Sequence, residues 1–339
     1  MTASAANPIY SAYIVSNGKK YNVTPVLTEL KMAESRQQIA QSVDLHIANV
    51  KVDGTWLSGI FRARDRVFVY ANDGTKNEEV FRGYVWKRGY SSSLAVREIT
   101  LRCYDHLMYL QESEASEFFE SGKTTKSIIA AIASEWGLSY TYNYESITHT
   151  KLALRGGLAD ILTSDILDLV KDRKGKNYVI LSDKDTMHIR GVGQNQTVYK
   201  IVAGQNAVKT STVNTLEGVI TKVVILGKAN KEDRRPVEAT ITKNTDRYGT
   251  IQKIIDRDED TTLADAQADA NNLLKKNSSP KWEYELEAPD IPWIRKGDKV
   301  YVNAGDISNR YLIVTDIDRT ISNSAKKMTL GLKEESDLT

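Results

Sequence analysis

Apolar and polar residues alternate with a period of two along much of this chain, and at two distant places they do so in the same order. Asp65-Arg66-Val67-Phe68-Val69 matches Asp298-Lys299-Val300-Tyr301-Val302. A polar turn follows in each copy, then residues 80–88 against 311–319, a second polar turn (SSSLA or SNSAK), and Ile99-Thr100-Leu101 against Met328-Thr329-Leu330. The register slips by four residues over this span, which turns of different length absorb. Period-two alternation places Val67 and Val69, or Val300 and Val302, on one buried face. Each copy therefore predicts a three-stranded antiparallel meander, and the pair predicts an internal duplication. A sheet of three strands buries too little alone, so each meander is expected to close or be covered as a small β-barrel.

The rest of the chain fills in around these two units. Tyr13-Ile14-Val15 and Tyr21-Asn22-Val23 flank Asn17-Gly18, a type I′ turn signal. In the next strand Val43, Leu45 and Ile47 share one face, opposite Asp44, His46 and Ala48. Together with the meander these strands are enough to close a first barrel over residues 1–110, with Trp56 and Leu57 at one rim. After Tyr104 the period changes. Residues 105–110 read as a helical or turn exit. Thr124 or Thr125 then caps a helix with the stripe Ile128, Ile129, Ile132 and Trp136 and the stop signal Gly137. A second helix over about 164–174 buries Ile166, Leu167, Leu169 and Val170 and ends in the basic turn from Lys171 to Gly175. With the hairpin at 178–189, these elements predict an α+β domain over 111–205, inserted between two β units. The second β unit, 206–339, opens with strands at 219–226 and 237–243 and carries a helix at about 263–276, capped by Thr262 with Asp265. A strand follows in which Trp282, Tyr284 and Leu286 alternate with Glu283, Glu285 and Glu287, and Pro289 and Pro292 end it before the closing meander. The fold class is mainly β with an α+β insertion: two barrels flanking a small α+β domain.

Composition narrows the classes without choosing one. A chain of 339 residues, 41% hydrophobic and 27% charged, is an ordinary globular protein, and a net charge of +2 gives no global electrostatic case for nucleic acid or membrane binding. The single cysteine, Cys103, excludes an internal disulfide framework and reads as a small core residue. No signal-peptide pattern opens the chain, and no stretch approaches the ~20 apolar residues of a membrane span. The protein is expected to be made and folded in a reducing cytoplasm, without membrane insertion.

Candidate chemistry is sparse. Asp256, Asp258 and Asp260 imitate the start of a calcium loop, but the sixth and twelfth positions, which need Gly and Glu, are Thr261 and Gln267. A capped helix start explains the acids better, so no metal is expected. His46, His106, His149 and His188 are scattered, without zinc or metalloprotease spacing, and are expected as solvated or hydrogen-bonded surface residues. No nucleophile elbow, phosphate loop or dinucleotide turn is present, and Arg155-Gly156-Gly157 is only a turn. The basic clusters Lys171–Lys176 and Arg234-Arg235 read as solvated loop ends. Tyr84, Trp86 and Arg88, at period two on one strand, come nearest to an oligonucleotide-binding face. No catalytic, cofactor-binding or metal residue is therefore expected.

Three stretches carry a resemblance over nearly the whole chain: Cys103-Tyr104-Asp105-His106-Leu107-Met108-Tyr109-Leu110, Arg247-Tyr248-Gly249-Thr250-Ile251-Gln252, and Ile294-Arg295-Lys296-Gly297-Asp298-Lys299-Val300. In this order they resemble the PBSX-like (XkdQ/YqbQ-type) phage tail protein family, which is similar to the baseplate hub proteins of contractile tails and to the hub part of type VI secretion spikes. The resemblance implies two tail-tube-like barrels around a small insertion and a homotrimer whose six barrels meet a hexameric tail tube while the whole stays threefold for the central spike. It implies a virion or tail-like particle as the location and DNA only as cargo passing through the lumen. Glu283, Glu285 and Glu287, or residues near them, are expected to line that channel. No spike or peptidoglycan-binding domain follows Leu332, so a spike or hydrolase is expected to be a separate chain. The competing readings are a tail-associated cell-wall hydrolase, which would show lytic activity, and a host-surface carbohydrate-binding β protein, which would need an exposed aromatic patch.

Overall fold

The computed structural model describes residues 7–93, 97–229, 234–257 and 261–338. β1 (Ile9–Ser16) and β2 (Lys19–Asn22) pair across Asn17 and Gly18, both at positive φ as a type I′ turn requires. β3 (Leu27–Ser35), β4 (Ser42–Ala48) and the two-residue strands β5 (Lys51–Val52) and β6 (Thr55–Trp56) follow. The first meander is β7 (Arg66–Asn72), β8 (Asn77–Ser92) and β9 (Arg97–Tyr104). Its inward residues Val67, Val69, Val85, Ile99 and Leu101 share one core with Ile14, Leu30, Val43, Leu45 and Ile47. Leu57 is sealed into that core, whereas Trp56 at the same rim remains 37% exposed.

The expected insertion, residues 111–205, contains β10 (Glu114–Phe119), β11 (Ser139–Asn143), β12 (Leu152–Gly157), β13 (Tyr178–Asp183) and β14 (Thr186–Gly191). β10 pairs with β12, and β14 lies between β11 and β13. The helix Thr125–Glu135 starts at Thr124, whose hydroxyl accepts from Ser127 N at 3.2 Å, and it buries Ile128, Ile129 and Ile132. The next helix begins at Leu158, earlier than expected, because Ile161–Leu167 is π-helical. Its wider turn lets Leu158, Ile161, Leu162, Ile166 and Leu167 all face inward, a spacing that a 3.6-residue period does not register.

The remaining strands are β15 (Tyr199–Val202), β16 (Lys209–Thr215), β17 (Lys222–Leu226), β18 (Val237–Thr242), β19 (Gln252–Asp256), β20 (Lys281–Pro289), β21 (Lys299–Ala304), β22 (Ile307–Ser322) and β23 (Lys326–Lys333). β17, β18 and β19 form a sheet of their own, one face of which is covered by the helix Leu263–Asn277 through Ala266, Ala270 and Leu274. Thr262 caps that helix, accepting from Asp265 N at 3.1 Å. Contacts divide the chain into one compact unit, up to Ser211 together with Glu285–Glu335, and a second containing Thr212–Tyr284.

The two meanders agree down to single hydrogen bonds. Both central strands, β8 and β22, are 16 residues long. Val85 faces Cys103 and Val314 faces Leu332, and in each copy the following residue, Trp86 or Thr315, is skipped as a bulge. The entry turns also correspond. Asp65 accepts from Arg62 N at 2.8 Å, and Asp298 accepts from Arg295 N at 2.9 Å. Arg64 N donates to Val85 O and Gly297 N donates to Val314 O, both at 2.7 Å. Arg64 and Gly297 sit at the same left-handed position, φ +69° and +81°. Shared bulges and shared turn bonds have no reason to occur in unrelated meanders, so they support duplication.

The strand order β16-β20-β23-β22-β21 in the second repeat is that of β3-β4-β9-β8-β7 in the first. Closed barrels, expected of each repeat, are not what the single chain forms. Among the described residues the sheet stays open and instead runs from one repeat into the other, where β22 pairs with β3 (Ile317 opposite Glu34, Ile321 opposite Leu30). The two left-handed turn positions give a test. A Cβ on Gly297 would stand 2.7 Å from Val179 Cγ1 at a φ that strains any side chain. Gly297→Ala is expected to cost about 2–3 kcal/mol in urea unfolding, while Arg64→Gly at the equivalent turn is expected to stay within about 1 kcal/mol of the parent.

Candidate functional site

Alternation that buries one face of this sheet leaves the other face polar across both repeats. On the outer side of β3, β4 and β9 the charges are paired. Lys31 reaches Glu29 at 3.0 Å, Arg102 Nε reaches Asp44 at 2.7 Å, and His46 lies between Glu98 at 3.4 Å and Glu29 at 3.8 Å. On the second repeat Lys327 reaches Glu287 at 3.2 Å, but Glu285, Asp316 and Asp318 have no salt bridge among the described residues. Partial burial, Asp316 and Glu285 push the Asp318 carboxyl above its usual range. The outer wall is thus balanced in its first half and acidic in its second. Such a surface repels a polyanion locally while remaining fully hydrated.

A buried polar strap between β20 and β21 fixes this wall. Asp290 accepts from Tyr10 of β1 and from Arg319 Nε of β22 at 2.9 Å, and the guanidinium also caps Ile291 O and Ile294 O. Trp293 Nε1 donates to Asp73 at 2.6 Å, and with nearby turn amides this hydrogen bond lowers the Asp73 pKa despite the opposing effect of desolvation. Arg295 Nε holds Glu34 of β3 at 2.6 Å and reaches Ser182 O of the insertion. The Lys296 ammonium is buried against the carbonyls of Ser35, Gln38 and Ile39, and Asp298 accepts from Arg190 of β14 at 2.6 Å. Segment 290–298 therefore touches the first repeat, the second repeat and the insertion.

Most residues singled out in the sequence belong to packing. Tyr84 and Trp86 join Tyr104 and Tyr109 in edge-to-face contacts at 5.2–6.2 Å, and Trp86 and Tyr104 pack on the core of the insertion. The bulge at Trp86 separates Arg88 from them and turns it to cap Ser58 O at 2.6 Å. These aromatics are thus an internal seam and offer no open stacking platform.

The histidines are hydrogen-bonded, but His106 and His149 are buried rather than on the surface. His149 meets Thr125 Oγ1 at 2.8 Å, His188 meets Thr141 Oγ1 at 2.7 Å and His106 meets Ser182 Oγ at 3.1 Å, and burial lowers the pKa of all three. The His106–Ser182 pair is the nearest approach to a nucleophile with a base. It lies beside a cavity of about 10 Å³, room for about one water, so no polymer substrate reaches it. Cys103 is wholly buried, which raises its thiol pKa. Asp256 pairs with Arg235 at 3.0 Å, while Asp258 and Asp260 lie outside the described residues. Lys171 and Lys176 pair with Asp168 and Glu145. No helix among the described residues is long and apolar enough to cross a membrane.

Comparison with known proteins places this architecture. A family model described as YQBQ-like matches residues 22–333. No curated protein matches the chain. Among solved structures, the 43 kDa tail protein of prophage MuSo2 from Shewanella oneidensis is similar over 98% of this chain and 100% of that one, with a TM-score of 0.73 at 14% identity. The tail protein from Neisseria meningitidis MC58 covers 97% and 98%, with a TM-score of 0.70 at 15% identity. An E. coli type VI secretion component, described as structurally similar to the T4 tail proteins gp27 and gp5, covers 91% of this chain and 73% of its own, with a TM-score of 0.56 at 8% identity.

Proposed function

The chain belongs to the YQBQ-like family, and on that footing we propose that it is a structural hub of a contractile phage tail or tail-like particle. The family and the matched folds are those of structural tail proteins rather than enzymes. In this reading three copies form a ring at the baseplate, in which six tube-like repeats meet the hexameric tail tube on one side and the threefold central spike on the other. Other baseplate proteins surround it, and DNA passes only as cargo. The observation that supports it most is the sheet itself: two repeats of one topology share a single wall, buried on one face and polar on the other. A duplicated chain in a closed cyclic trimer presents six similar modules while remaining threefold, which resolves a symmetry mismatch without an adaptor. The acidic half of the wall, with Glu285, Asp316 and Asp318, would face the bore and keep DNA from adhering.

The test is the native mass of the purified chain across a concentration series, alone and with its tube and spike partners co-expressed. A mass threefold that of the 38.0 kDa chain is expected. A stable dimer or tetramer would count against the ring, and lytic activity in the purified chain would revive the hydrolase.

A further inference from the structure

We propose that a cleft beside the last two turns of the helix Leu263–Asn277 is a binding site for closely spaced phosphate groups. It lies outside the wall sheet, and the hub reading assigns it no ligand.

The cleft measures about 420 Å³, within the roughly 300–1,000 Å³ of small-molecule sites. Asn272, Lys275, Lys276 and Ser279 line one side of it, at the i, i+3, i+4 and i+7 spacing of a single helix face. Lys281, the first residue of β20, and the turn at Ser336 and Asp337 line the rest. All of these residues belong to the second compact unit. Among the described residues the lining thus sets three ammonium groups against one carboxylate.

Lysines in the last turn of a helix complement its dipole, which accounts for Lys275 and Lys276 without any ligand. It does not account for Lys281. That residue lies on the following strand and is only 9% exposed. Its ammonium donates to Asn277 Oδ1 at 2.8 Å, and Asn277, itself buried, is held by its own amide donating to Leu273 O at 3.1 Å. The amide is therefore locked in one orientation and fixes the ammonium in turn. Ser279 is placed in the same manner. Asn244 Nδ2 donates to Ser279 Oγ at 3.4 Å and to Ser278 O at 2.9 Å, so the Ser279 hydroxyl keeps its own proton to donate. Lys275 and Lys276 are exposed and form no ion pair among the described residues. Donors held in place beforehand lose little entropy when a ligand arrives.

The donor set decides which anion fits. No arginine lines the cleft among the described residues, so the planar fork that matches a carboxylate in two parallel bonds is missing. Ammonium groups act as point charges, and with hydroxyl donors they suit the tetrahedral oxygens of phosphate. No aromatic ring lines the cleft either, so a base would find nothing to stack on. The ligand is recognised through its phosphates alone, whether they come as a free diphosphate or along a nucleic-acid strand.

Calorimetric titration of the full chain at low salt, with pyrophosphate, an oligothymidylate and citrate in turn, tests the site. One of the two phosphate probes is expected to saturate a single site per chain. The double variant Lys275→Gln, Lys276→Gln should weaken that binding at least about tenfold, the loss of two charge-assisted bonds. Both lysines are exposed, so the unfolding midpoint of the unliganded variant should stay that of the parent. Lys281→Met is expected to abolish binding, and if it unfolds the chain the double variant still decides. Tighter binding of oligothymidylate would identify a strand backbone as the source of the phosphates, and tighter binding of pyrophosphate a free anion. Citrate bound as tightly as the better phosphate probe would overturn the proposal, because the cleft would then answer to charge alone. No saturable site for either phosphate probe, or equal binding by the double variant, would overturn it as well.

Discussion

Replacing Arg319 with Met is expected to cost the chain about 3–5 kcal/mol, the penalty for leaving a buried charge without its partner. Arg319 is 3% exposed and neutralises Asp290, which is equally buried and also accepts from Tyr10. The same guanidinium satisfies Ile291 O and Ile294 O, so methionine would bare a carboxylate and two carbonyls at once. Asp290 joins β1 of the first repeat to β22 of the second, and its loss should therefore loosen both. Urea unfolding of the purified chain checks the magnitude, and a loss under about 1 kcal/mol would mean that water already enters the site. The double variant Arg319→Met, Asp290→Leu is expected to be more stable than Arg319→Met alone, because it removes the orphaned carboxylate together with its partner. If the double variant is worse, shape rather than charge governs the site.

Arg319 also shows what the sequence could and could not reveal. Its place on a meander strand was legible from the repeat with residues 80–88, but its face was not: alternation around Tyr84, Trp86 and Arg88 leaves open which side is buried, and the bulges make Tyr90 rather than Arg88 the counterpart of Arg319. Nor was its pairing. Buried ion pairs join residues remote in sequence, here Asp290 and Arg319 or Glu34 and Arg295, and no local period records them. The entry turn was half visible. Arg62-Ala63-Arg64-Asp65 and Arg295-Lys296-Gly297-Asp298 share Arg and Asp three residues apart, which extends the repeat by one turn, but the left-handed third position shows only in the backbone. Barrel closure was expected because a three-stranded sheet needs cover. Instead the second meander is extended at its edge by β3, a strand of the other repeat, through a pairing that alternation does not encode. The outward set of Glu283, Glu285 and Glu287 was legible, whereas the contribution of Asp316 and Asp318 to the same acidic half emerged only from strand order.

Between about pH 7 and 8 the buried groups Asp105 and Lys296 should together contribute least to stability, because they titrate there in opposite senses. Asp105 accepts from Gln41 N and Leu107 N at 2.9 Å, yet burial outweighs these bonds and the charges of Lys296 and Arg295 and raises its pKa to about 7. From about pH 4 to 7 the folded chain therefore holds a proton that the unfolded chain has released, and stability falls as pH rises by up to about 4 kcal/mol. Lys296 behaves conversely. Burial lowers it to about 8, against the pull of Glu34 and Asp105 and with the push of Arg295 and Arg36. Above pH 8 the unfolded chain holds the extra proton, so stability rises again toward the ordinary lysine range. Other carboxylates titrate in the same acid window, and Glu34, whose pKa Arg295 lowers against burial, acts in the opposite sense. Only differences from the parent isolate the two groups. Asp105→Asn should flatten the acid side of the difference curve and Lys296→Met the alkaline side, each leaving the other slope in place. A parent and Asp105→Asn variant whose stabilities run parallel from pH 4 to 8 would show that Asp105 stays charged throughout, held by its two backbone donors.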